Sequence, residues 1–140
     1  MPIYANQNPM SKVHDEARDL YVKWKEEGPV QARRCEATIQ IIDRLELEFP
    51  NTDIFLGTSH MRLFLTNQKS DGQMHVILED AMGDLFELSY LMPRAKSPFP
   101  SWCRIHSSAE GFEEAMEFIK IAMRESEGWP DSKDFMVPGR

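Results

Sequence analysis

The chain has 140 residues, 41% apolar and 28% charged, with 16 Lys and Arg against 23 Asp and Glu for a net charge of −7. That length suits one domain with one core, and the composition excludes collagenous, disordered and disulfide-stapled classes. The negative charge opposes general nucleic-acid binding and attachment to anionic membranes, and no apolar run approaches the roughly 18 residues of a membrane span.

Residues 1–10 read as a flexible polar tail with prolines and no secretory signature. Ser11 can cap a first helix, with Asp15 in its first turn. Val13, Ala17, Leu20, Tyr21 and Trp24 then recur at helical spacing, and Gly28-Pro29 ends the segment. A second helix is expected from about Val30 to Glu48. Cys35, Ile39, Ile42, Leu45 and Phe49 form its apolar face, with Thr38 and Ile41 beside it, Arg44 and Glu48 pair one turn apart, and Pro50 stops it. The Gly-Pro link favours a helical hairpin.

The apolar period then drops from 3.6 to 2. Asp53–Gly57 is a short strand followed by a turn at Gly57–His60. Met61–Thr66 and Met74–Glu79 alternate, joined by a loop whose Asp71-Gly72 signals a hairpin. Asp80–Asp84 is the next turn, and Leu85–Leu91 a strand with Phe86, Leu88 and Tyr90 on one face. Pro93, Pro98 and Pro100 make 92–101 an irregular loop, after which Ser101–His106 can return as a fifth strand. Ser107-Ser108-Ala109-Glu110 has the form of a capping box ahead of a third helix marked by Phe112, Ala115, Met116, Ile119, Ala122 and Met123. Residues 131–140 read as a second loose tail. The expected class is therefore α+β: an N-terminal helical hairpin, a four- or five-stranded antiparallel meander, and a C-terminal helix packed on the sheet, within a single domain over 11–130. Phe64, Met74, Ile77, Phe86 and Leu88 are too apolar for one sheet face to lie wholly in water.

Signatures of catalysis are missing. The chain has no phosphate loop, dinucleotide fingerprint, nucleophile elbow, H-E-x-x-H or C-x-x-C. Cys35 reads as core and Cys103 as a small buried apolar residue, since the odd spacing to His106 puts that pair on opposite strand faces. His14, His60, His75 and His106 have no metal-ligand spacing. No cofactor and no metal are expected.

Two clusters remain. Glu79, Asp80, Asp84 and Glu87 flank one hairpin, an acidic patch that the glutamates starting the third helix could extend. Residues 92–106 hold three basic side chains and no acid, mixed with aromatics: Arg94, Lys96, Phe99, Trp102, Arg104 and His106. Arginine with aromatics is the composition of binding hot spots. The resulting expectation is a non-catalytic acidic module that works by protein–protein contact, with the size and acidity of inhibitors, immunity proteins, antitoxins or chaperone-like proteins. Its partner would be a protein with a basic surface, not nucleic acid or a membrane. The alternatives are a small enzyme using His60, His75 and the hairpin carboxylates on the sheet face, and a homo-oligomer, with a homodimer as its simplest form. Unpaired cysteines and no secretory signature suit the cytoplasm.

Overall fold

The computed structural model describes residues 3–5, 14–67, 73–130 and 132–135. Helix α1 (His14–Trp24) ends in a 3-10 turn over Lys25–Glu27. Gly28, at φ 136°, reverses the chain where a side chain would be strained, and Pro29 then occupies the first turn of α2 (Pro29–Glu48). Cys35, Thr38, Ile39, Ile41, Ile42, Leu45 and Phe49 are all buried, as the helical spacing predicts. Tyr21 fills the seam between the helices and the sheet. Its ring meets Trp24 edge-on at 5.1 Å and its hydroxyl donates to the Met61 carbonyl at 3.3 Å. Burial pushes its ionisation well above the ordinary range, and the charge of the Cys35 thiolate would add to that.

The sheet is a meander of β2 (Ile54–Ser59), β3 (Arg62–Thr66), β4 (Val76–Met82), β5 (Leu85–Leu91) and β6 (Arg104–Glu110), all antiparallel, with β1 (Ile3–Ala5) added parallel to β2 at the far edge. Helix α3 (Phe112–Glu125) closes the chain's regular structure. Ile54, Leu56, Leu63, Leu65, Val76, Leu78, Ala81, Phe86, Leu88 and Ala109 alternate onto one face and join the helices in one core. Burying each large side chain there, such as Leu65 or Met116, contributes about 1.5–3 kcal/mol. A register shift between Leu78 and Asp80 places an extra residue at Glu79.

The observed elements depart from the sequence reading at several places, and β4 runs on to Met82 where a turn from Asp80 to Asp84 is expected. Ile3–Ala5, inside the expected tail, forms a strand on β2. The β2–β3 hairpin turns on His60 and Met61, at φ 51° and 70°, so β2 runs through Ser59 instead of stopping at Gly57. Ser107–Glu110 is not a cap. It is the second half of β6, with Ser107 opposite Leu88 and Glu110 opposite Leu85. Sheet pairing outweighs the local cap because a whole strand of hydrogen bonds depends on it. Gly111, at φ 88°, makes the actual corner into α3 and donates to the Asp84 carbonyl at 2.6 Å. Lastly, residues 132–135 are anchored where a loose tail is expected. Asp134 is buried, accepting the Asn51 backbone N–H at 3.0 Å and the Thr52 hydroxyl, while Phe135 packs on Phe49 at 5.3 Å. The expected cap Ser11 and the expected Asp71-Gly72 turn lie outside the described residues.

Candidate interaction surface

The acidic hairpin does not present four free carboxylates. Glu79 accepts Ser89 Oγ at 2.8 Å and pairs with Arg62 at 3.3 Å. Asp80 accepts the Ala81 backbone N–H at 2.9 Å and faces Arg34 at 3.7 Å. Asp84 and Glu87 are exposed. Asp84 borders an open depression of about 570 Å³ with Arg33 and Gln40 of α2.

The basic island divides in the same way. Arg104 turns inward, donating to Ser89 Oγ at 3.1 Å and to the Met74 carbonyl at 2.7 Å. Burial pulls its pKa down, the charge of Glu79 works against that, and Arg62 adds to it, yet a guanidinium stays charged throughout. Arg62, Glu79, Ser89 and Arg104 thus form a polar chain across β3, β4, β5 and β6 on the face away from the helices. Phe64 and Ile77 are buried on this same face, and the Arg62 guanidinium lies 5.4 Å from the Phe64 ring. Lys96 pairs with Glu127 at 2.8 Å, which raises its pKa. Arg94 stacks over the Trp102 ring at 4.9 Å, and Trp102 and Phe99 stay 49% and 63% exposed. Of the nine predicted contact residues, Asp84, Glu87, Arg94, Phe99 and Trp102 face outward free of the internal networks.

The residues of the alternative catalytic reading lie apart. His60 is exposed in the β2–β3 turn, while His75 is buried against Trp129, edge-on at 5.5 Å. Glu79 is held by Arg62 and Ser89. Among the described residues no group of three or more His, Cys, Asp or Glu side chains could hold a metal ion. Cys35 is buried, and burial raises its thiol pKa, the charge of Glu27 adding to this and that of Lys25 opposing it. Cys103, expected to be buried, is partly exposed, its Sγ 3.1 Å from Ser97 Oγ.

What the sequence reading missed lies along β6. This strand is the last of the sheet, and Arg104 to Ser108 are partly or fully exposed. Its outer hydrogen-bonding groups can be assigned. Met92 donates to the Cys103 carbonyl at 2.9 Å and Gly111 to Asp84. In an antiparallel ladder, inward bonding then falls on the odd positions, so Arg104, His106, Ser108 and Glu110 turn their N–H and C=O groups outward. Consistently, the Glu110 N–H is taken at 3.1 Å by Glu114 Oε1 of α3. Beside the edge, between β5–β6 and α3, lies an open apolar groove of about 290 Å³ lined by Leu88, Tyr90, Ile105, Phe118 and Ile121. Ile105 and Ile121 remain 38% and 37% exposed.

Compared with known protein families, curated proteins and solved structures, the chain matches none of them. Among the described residues no helix is long and apolar enough to cross a membrane.

Proposed function

We propose that this protein is a binding module that takes an extended protein segment along β6. One observation carries the reading: a seven-residue edge strand with outward hydrogen-bonding groups runs directly beside an apolar groove. Of the devices that blunt natural edge strands, β6 has no lysine, proline or bulge, and its charges are Arg104, turned inward, and Glu110 at its end. Backbone pairing supplies affinity in strand addition, and alternate side chains entering a groove supply selectivity. Trp102 stacked under Arg94, with Phe99, extends the surface with hot-spot residue types. An inhibitor, immunity, antitoxin or chaperone-like role fits such contact, and a reducing compartment such as the cytoplasm fits the two free thiols.

The test is capture by tagged protein from its native lysate, counting untagged copies of this chain among the captured chains. Ile105→Lys with Ile121→Asp should abolish capture while leaving the melting temperature nearly unchanged, since both side chains are partly exposed. Asp84→Lys with Glu87→Lys should leave capture intact. Loss with the second pair alone would move the surface to the acidic hairpin, and indifference to both pairs would end the strand-addition reading.

A further inference from the structure

Resting on that reading, we infer that the segment β6 accepts is β6 of a second copy, paired antiparallel about a two-fold axis at Ser107.

Three observations converge on this arrangement. The first is the phase of the ladder. With Arg104, His106, Ser108 and Glu110 turned outward, two copies can pair only in registers that bring even positions opposite even positions. The register centred on Ser107 does so and matches the strand end to end: His106 faces Ser108 of the second copy, and Arg104 faces Glu110.

The second is charge. The chain carries a net −7, which opposes self-association in general, but the charge along β6 is polarised. Its start adjoins Arg94 and carries Arg104, whose guanidinium is turned inward to Ser89 and Met74, and its end carries Glu110 with Glu114. An antiparallel copy lays each basic start beside an acidic end. A parallel copy would oppose like charges and could not close by two-fold symmetry.

The third is the side-chain alternation. Ile105, Ser107 and Ala109 point to the α3 face and Arg104, His106, Ser108 and Glu110 to the other. In the Ser107-centred register Ile105 covers the small Ala109 of the second copy, and two serines meet at the axis, where bulk would clash. The exposed parts of Ile105 and Ile121 would then leave water together. The Glu110 N–H would exchange its Glu114 partner for the Arg104 carbonyl of the second copy.

The test uses the full chain. Light scattering after size exclusion, at up to about 100 µM, should report a dimer, as a Kd of about 10 µM leaves most chains paired there. In a Cys103→Ser background, Ser107→Cys should cross-link under mild oxidation. Directly opposed residues in a non-hydrogen-bonded pair have Cα atoms about 4.5 Å apart, within disulfide reach. Ser108→Cys should not, because its counterpart would sit about 8 Å away. Glu110→Lys, which places lysine across from Arg104 of the second copy at both ends, should weaken the dimer about tenfold. A monomer at all concentrations, or a dimer in which Ser108→Cys links and Ser107→Cys does not, overturns the inference. If the protein is monomeric but Ile105→Lys with Ile121→Asp still abolishes capture of another chain, only the second-copy inference falls. If capture is also indifferent to those changes, the strand-addition reading falls with it.

Discussion

Gly128→Ala probes how the end of the chain is fixed to the sheet. A Cβ on Gly128 would sit 2.9 Å from His75 Cγ and 3.2 Å from its Cβ and Cδ2, where carbon contacts normally rest at about 3.5–4.0 Å. Neither side can easily give way. The His75 ring is buried and held edge-on by Trp129, whose Nε1 donates to the Asp53 carbonyl at 2.8 Å. The Gly128 carbonyl accepts from the Asn67 side chain, and its N–H donates to Ser126 Oγ at 3.4 Å. An overlap of roughly 0.6 Å must therefore be absorbed by shifting packed groups, at a cost of about 1–3 kcal/mol. For a chain of this size a cost of about 2 kcal/mol lowers Tm by ~8 °C. Calorimetry and urea unfolding should show that loss. In a His75→Ala background most of the penalty should vanish, because the contacts with Cγ and Cδ2 are gone and only the 3.2 Å contact with Cβ remains. A Gly128→Ala protein within about 0.5 kcal/mol of wild type, or a Gly128→Ala penalty as large in the His75→Ala background as with His75 in place, would refute the packing argument and reopen His75 as a functional group.

Asp134→Ala should cost about 1–2 kcal/mol in urea unfolding, since it removes the acceptor of the Asn51 N–H while the Thr52 hydroxyl keeps Ser132 Oγ as a partner, and Asp134→Asn should recover part of it. Burial pushes the Glu48 pKa up, but Lys120 at 2.5 Å and Arg44 at 3.4 Å outweigh it and the net shift is down. A depressed carboxylate stabilises the fold above its unfolded value near 4.3, and that contribution is lost as pH falls through the lower folded value. The wild-type urea midpoint should therefore drop below about pH 4.5, and Glu48→Gln should flatten that part of the profile.

Periodic elements were legible and long-range ones were not. The buried face of α2 and the β2–β5 meander follow from spacing alone, because each residue's placement depends on neighbours a few positions away. β1 is three residues long with no period of its own, and its pairing with β2 joins segments far apart in sequence. Asp134 carries no local sign that it will cap the loop after α2. The internal pairing of the acidic hairpin was not legible for a related reason. Charge is visible in a sequence but partners are not, and the cations that occupy Glu79 and Asp80 come from β3 and α2.

The error at Ser107–Glu110 matters most for function. Its Ser-x-x-Glu pattern suits a cap, a device that contributes about 1 kcal/mol, and nothing within those four residues argues against it. The deciding interactions come from outside: the β5 ladder from Leu85 to Leu88, and Gly111, which turns the corner one residue later. No side chain caps α3: the N–H of Gly111 at the corner goes to the Asp84 carbonyl, and Glu114 takes the N–H of the strand residue Glu110 instead. Extending the strand through Glu110 gives the sheet an edge long enough to pair with another chain, brings Ala109 into the core, and puts a basic start and an acidic end on one strand. Polar residues suited to a helix cap thus supply both the edge and the small side chains that a two-fold axis at Ser107 requires.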